Sequence, residues 1–323
     1  MSKYKNYFKS VLFLGILAIM IVLLSLLFTP KNNTKEYGMP ELRANGILSE
    51  RKNSIDVLVI GDSESYTSVS PMEIWRDYGY SVYVMGSNAQ KIYQSYNYLL
   101  EALENQHPKV VVLETNTFFR KLKKDLMILN FMERYVPAIK YHDRWKNLKL
   151  HDITESPNYT GKNEFKGYYY INYSKPMKEA KPKYMWKKND RWEMPPYEEY
   201  YIRKIYEECK KRDIELMFYS APNVVNWWYA KHNTVEDLAK ELGINFVDTN
   251  LLPEVDIDWT TDTKDAGDHV NYYGAVKVSH YLGKYLGERY NLKDHRGEKE
   301  YESWNDSLDF YNKIVSNKEI IRY

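Results

Sequence analysis

The chain has 323 residues, 44% of them apolar and 28% charged, so it can bury a sizeable core and is not a disordered polymer. Lys and Arg number 46 and Asp and Glu 44; the resulting net charge of +2 excludes the strong basic excess of a nucleic-acid-binding protein. The single cysteine, Cys209, excludes an internal disulfide framework and a cysteine-rich zinc site.

The first ten residues carry Lys3, Lys5 and Lys9 and no acid, and residues 11–28 carry no charge at all. At 1.5 Å per residue the apolar run spans about 27 Å, close to the hydrocarbon core of a bilayer. The basic flank should stay in the cytoplasm, so a single-pass membrane protein is expected, its C-terminal domain extracellular. A cleaved signal peptide is the rival reading, but no A-x-A-like site follows the run. Residues 30–54 are polar, contain Pro30, Gly38, Pro40 and Gly46, and read as a linker.

Five short apolar runs follow: residues 55–60, 81–85, 110–113, 214–219 and 244–247. Near-continuous apolar runs of this length fit strands buried on both faces. Helical periodicity falls between them, at 90–106, 197–212, 234–242 after an N-cap at Asn233, and 272–290. The alternation predicts an α/β fold, a doubly wound five-stranded parallel sheet with helices on both faces. Residues 118–196 break the pattern and read as an insertion, helical near 121–141, folding over the strand ends. Residues 295–323 read as a polar helical tail with Trp304, Leu308, Tyr311 and Ile314 as its packing stripe.

The first strand runs directly into Gly61-Asp62-Ser63. A strand, a glycine turn and a serine at a helix start make the geometry of an exposed nucleophile. The same residues also make an ordinary capped turn. His269 lies among Asp262, Asp265 and Asp268 on a loop before the last helix, the setting of a general base held by a carboxylate. Asp268 and Asn271 would alternatively cap that helix. Asn116 stands at the end of the third strand, where its amide can donate to an oxyanion or simply make a turn.

Taken together, Gly61-Asp62-Ser63, Gly86 after strand two, Asn116 after strand three and a terminal Asp/His loop resemble the SGNH (GDSL-type) hydrolase superfamily across residues 55–290. The resemblance implies Ser63 as nucleophile, His269 as base, and Gly86 and Asn116 as oxyanion donors. Glu114 and Thr117 depart from the family's Gly-x-Asn-Asp block. The usual Asp-x-x-His spacing is also altered, because position 266 is Ala. This leaves Asp265 or Asp268 to orient the imidazole, with Asp265 preferred on the basis of a one-residue loop insertion. Asp62, Gln90, Trp227 and Asn271 are the expected substrate-binding positions, although Trp227 also fits plain packing at the exit of the fourth strand.

The plan is similar to membrane-anchored, extracellular surface-polymer modifiers of this superfamily. That implies an O-acyltransferase working on a cell-surface glycan or cell-wall polymer, beside a membrane-bound O-acyltransferase partner. A carbohydrate esterase with the same triad, and a non-catalytic glycan-binding or assembly subunit, are the alternatives. No metal or cofactor is expected; His142 and His151 lie near Asp143 and Asp152 but match no helical metal pair.

Overall fold

A computed structural model describes residues 2–318; Met1 and the last five residues of the expected tail lie outside the described residues. The chain divides into two compact units, one from residues up to Leu42 with Leu122–Gly161, the other from Arg43–Lys121 with the residues from Lys162 onward.

The larger unit is built on β1 (Val57–Gly61), β2 (Val82–Gly86), β3 (Val110–Glu114), β4 (Glu215–Ser220) and β5 (Asn245–Asp248). All pair in parallel, in the order β2-β1-β3-β4-β5. Val57 lies opposite Val82 on one side and Val110 on the other. Every residue of β1, β2 and β3 is buried, which is why these strands read as continuous apolar runs rather than alternating ones.

The helices of this unit are α3 (Ser63–Ser68), α4 (Pro71–Tyr78), α5 (Ile92–Ala102), α9 (Pro196–Lys211), α10 (Tyr229–Leu242), α11 (Tyr272–Tyr290) and α12 (Glu302–Ser316). Short α2 (Leu42–Asn45) precedes them at the unit boundary. Helix α4 packs against α11 and α12, and α5 against α9. Right-handed crossovers require this division, because β2 lies to one side of β1 and the later strands to the other. The carboxyl ends of β1 and β3, where the order reverses, form the crevice that such sheets use for ligands.

Three expectations change. The linker is packed: Ala44, Gly46 and Ile47 are buried, and a side chain at Gly46 would come within 2.4 Å of the Tyr83 hydroxyl. The insertion divides, its first part joining the smaller unit. Its second part ties to the sheet unit through Lys166 O with Val84 N, Tyr169 N with Tyr66 O, and Ala266 N with Lys175 O. Helix α10 starts at Tyr229, so Asn233 is an interior residue that donates to the Lys188 and Asp190 carbonyls instead of capping. The tail helix α12 buries Trp304, Tyr311 and Ile314 and packs Trp304 at a tilt against Trp75, with ring centroids 5.2 Å apart.

In the smaller unit α1 (Ser2–Phe28) is followed by α6 (Lys124–Tyr135), α7 (Pro137–Lys140) and α8 (His151–Thr154). Residues Tyr4–Phe28 are long and apolar enough to cross a membrane.

Candidate active site

Strand β1 meets β3 so closely at Gly61 that a side chain there would lie 2.4 Å from Glu114 Cβ. The chain then turns at Asp62, whose Oδ1 accepts from Glu64 N at 3.0 Å and caps α3. Ser63 is thereby the first residue of α3, where a backbone N–H has no acceptor within the helix and the helix dipole favours negative charge. From Ser54 to Trp75 every residue is buried except Ser63. The turn thus delivers one side chain to the crevice and encloses the rest.

His269 arrives on a loop closed by a bridge between Thr263 and Val270. The Thr263 hydroxyl organises it, accepting from Gly267 N at 2.9 Å and donating to His269 O at 2.9 Å. Ala266 and Gly267 both adopt positive φ, +60° and +98°, and so turn the extra residue out of the Asp–His spacing. The Asp265 carboxylate then reaches His269 twice, accepting from its backbone N–H at 2.7 Å and lying 2.8 Å from Nδ1. His269 Nε2 lies 2.8 Å from Ser63 Oγ. A carboxylate can only accept, so Nδ1 carries the proton and Nε2 is left to accept from the serine hydroxyl. Burial raises the Asp265 pKa, but the hydrogen bond to His269 and its charge outweigh this and hold the carboxyl below its ordinary value.

Asp268 takes a different place. Its Oδ2 is 3.5 Å from Nδ1, while its Oδ1 accepts from the Asn223 and Asn226 amides at 3.1 and 2.5 Å. The structure therefore brings Ser63, His269 and Asp265 into one hydrogen-bonded row and leaves Asp268 beside it.

Beneath the row lies a buried acidic cluster. Asp62 Oδ2 accepts from Asn116 Nδ2 at 3.0 Å and Arg120 Nε at 2.5 Å. Glu64 accepts from Asn223 Nδ2 at 2.6 Å and stands 3.7 Å from His269 Nε2. Burial first, then the charges of Asp62, Glu114 and Asp268, push the Glu64 carboxyl well above the ordinary range. Burial and Asp62 do the same to Glu114. Lys231 donates to Asn226 O at 2.7 Å, and burial above all lowers its ammonium to about 8.

The expected oxyanion donors both adjoin the nucleophile turn. Asn116 has one amide N–H on Asp62, and a primary amide carries two. Gly86 pairs with Gly61 across the sheet, and a side chain there would press within 3.0 Å of Gly61 O and Ser65 Oγ.

The four positions expected to contact substrate are all buried in the folded chain. Asp62 and Asn271 are fully buried, one capping α3 and the other capping α11 through Tyr273 N at 3.0 Å. Gln90 is fully buried and ties Ser87 N to Ser95 Oγ. Trp227 is buried, its Nε1 donating to Asp248 Oδ2 at 2.9 Å. Polar residues at strand ends read alike in sequence whether they face the crevice or brace it from below.

Glu64, Arg120, Asn223, Asn226, Lys231 and Thr263 escaped the sequence reading. Only Glu64 carried a local signal, its place beside Ser63. Glu64, Asp268 and His269 present ligand atoms within 4.8 Å of one another, close enough for one cation. Both imidazole nitrogens are already engaged by Ser63 and Asp265. A hydroxyl, a neutral imidazole and an orienting carboxylate in series are the parts of nucleophilic acyl transfer.

No protein-family model matches the chain, and no curated protein matches it. Among solved structures it is similar to a protein described as a lipolytic member of the G-D-S-L family from Desulfitobacterium hafniense, at 14% identity over 72% of this chain and 99% of that one, TM-score 0.39. It is also similar to a GDSL-like lipase from Bacteroides thetaiotaomicron, at 14% identity, 72% and 87% coverage and TM-score 0.37. A family 3 carbohydrate esterase from Clostridium thermocellum is similar at 14% identity, 73% and 97% coverage and TM-score 0.37.

Proposed function

We propose that this chain is a membrane-anchored serine acyl-transfer enzyme of the SGNH type, working through an acyl-Ser63 intermediate and passing the acyl group to a hydroxyl of a cell-surface glycan. The observation that carries the reading is the row Ser63 Oγ–His269 Nε2 at 2.8 Å and His269 Nδ1–Asp265 Oδ2 at 2.8 Å. Ser63 Oγ attacks the ester carbonyl as His269 Nε2 takes its proton, and Asp265 stabilises the imidazolium. The Ser63 N–H and the Asn116 amide are the nearby donors suited to the oxyanion. His269 then returns its proton to the departing alcohol, the acceptor hydroxyl loses its own to His269, and collapse of the second tetrahedral species frees Ser63. Water in place of the sugar hydroxyl makes the same site an esterase. The apolar Tyr4–Phe28 helix supports work at a membrane surface.

The test uses the full chain in lipid nanodiscs, given an activated acetyl ester with and without glycan fragments. Free acid and acylated sugar are both followed. Ser63→Ala should lower kcat by up to ~10⁶-fold, the scale on which serine triads respond to loss of the nucleophile. Its melting temperature should not move, because Ser63 is the partly exposed member of its turn. Serine-dependent acylated sugar supports the transferase, and serine-dependent acid alone supports the esterase. Turnover that survives Ser63→Ala overturns both.

A further inference from the structure

Helix α6 carries its apolar stripe on the outside. Ile128, Phe131, Met132 and Tyr135 recur at helical spacing on one face, and they are 69%, 64%, 42% and 63% exposed. Such a stripe ordinarily faces a core. Here Asn130, on the opposite side, is the buried residue among those of α6 whose side chains are described. Trp145, Leu150 and Ile153 add further exposed apolar side chains, at 63%, 74% and 74%. Lys140, Lys146 and Lys149 are exposed among them.

The attachment of this segment decides what covers it. Helix α7 packs against α1, with Ala138 N donating to Ser25 Oγ at 3.3 Å. Arg144 Nη1 donates to Phe28 O at 2.6 Å, and Asn158 N to Lys31 O at 2.8 Å. These three contacts fall on the last turn of the apolar helix and the residues just after it. Ser25 lies only about 4.5 Å along the axis from Phe28, where the apolar span ends. Helix α6 packs against α7 and so is held next to that level. If α1 crosses a bilayer, its last turn marks the boundary between acyl chains and headgroups. A helix at that boundary with apolar and aromatic residues on one face and lysines nearby has the composition of an interfacial helix.

We propose that residues 124–153 bind the lipid surface of the membrane that α1 spans, with Ile128, Phe131, Tyr135, Trp145 and Ile153 in the acyl boundary and the lysines at the phosphates. The proposal rests on α1 spanning a membrane and is independent of the chemistry at Ser63. It makes the segment a second, peripheral membrane contact rather than a water-exposed loop.

The experiment reconstitutes the full chain, at low protein-to-lipid ratio, in vesicles of phosphatidylcholine with a minority of phosphatidylglycerol. Single cysteines are introduced by Phe131→Cys, Ile153→Cys and, as a depth reference, Leu17→Cys, each with the buried Cys209 changed to Ser. Each is labelled with an environment-sensitive fluorophore. Nitroxide quenchers are attached to lipid chains near the headgroup or near the chain end. Labels at 131 and 153 should lose more fluorescence to the shallow quencher, and the label at 17 more to the deep one. Quenching at 17 without quenching at 131 and 153 overturns the proposal, including the case of a blue-shifted label covered by a second copy of the chain. Absence of quenching at 17 removes its premise and overturns it too. Phe131 and Ile153 are exposed, so their replacement should leave the melting temperature unchanged, which calorimetry checks.

Discussion

Ser63 stands on a turn enclosed by the sheet, whereas His269 stands on a partly exposed loop held by its own hydrogen bonds and by those it makes with Lys175, Asn223 and Val224. The nucleophile turn inherits its position from β1 and β3, whose close approach at Gly61 leaves room only for glycine. The base loop depends on Thr263, on the two left-handed residues Ala266 and Gly267, and on Asp265 gripping His269 at two points. A reaction needs both halves in register, yet only one of them is part of the core. Damage to the buried residues of the turn should therefore cost stability and rate together, whereas a change at Asp265, or at the partly exposed Ser63 itself, should cost chiefly rate.

The largest contrast expected is within the loop. Asp265→Asn should lower kcat by as much as ~10⁴-fold, because an amide at Nδ1 favours the wrong tautomer. Asp268→Asn should retain most of the rate, since that carboxylate is spent on Asn223 and Asn226. Steady-state kinetics of the two variants separates them, and comparable losses would break the assignment of Asp265. Neither should shift the melting temperature much.

Asn116→Ala comes next, on the turn side. Losing one oxyanion donor should cost on the order of 10²–10³ in rate. The same change strips a donor from the buried Asp62, so denaturant unfolding should also show a loss of about 1–3 kcal/mol. A rate loss with no stability loss would mean that Asn116 belongs with the loop rather than the core.

Backbone changes sharpen the contrast through stability alone. Gly61→Ala places a carbon against Glu114 Cβ and should destabilise the fold by about 1–3 kcal/mol. Ala266→Gly relieves the cost of a left-handed alanine while adding chain entropy, so its net effect should stay within about 1 kcal/mol. Thermal melts of both variants test this.

The last expected effect is on the pH dependence of stability. Glu64 has its carboxyl raised by burial, so the folded chain keeps a proton that the unfolded chain releases above the ordinary carboxylate range. That contribution to stability is present at low pH and is lost as pH rises toward the raised value. Glu64→Gln removes the titration. Its unfolding free energy relative to the parent should therefore rise from pH 4.5 to 7, by at most about 1.4 kcal/mol per pH unit, as read by denaturant unfolding.

Much of this was readable along the chain. The five strands appear as buried apolar runs within two residues of their observed bounds, and α11 begins and ends where periodicity places it. Gly61-Asp62-Ser63 announces the nucleophile turn because a strand end, a cap and a helix start are consecutive. The Asp265 preference followed from counting one extra residue in the loop. These are short-range signals, set by side-chain period, capping and backbone freedom, and each is complete within a few residues of sequence.

The rest needed the folded chain. Ser63 and His269 meet across 206 positions, and no local pattern measures that distance. Asp62, Gln90, Trp227 and Asn271 are polar or aromatic residues in turns, loops and caps, yet packing sends all four inward as braces. The buried carboxylates and Lys231 look like surface charges until burial surrounds them. The outward stripe of α6 has the same period as any core-facing helix, and only its exposure in the folded chain shows which way it points. Sequence determined which elements form and which residues could react, because those depend on neighbours in the chain. Tertiary structure alone decided which of them face one another and which are hidden, because burial and pairing depend on neighbours in space.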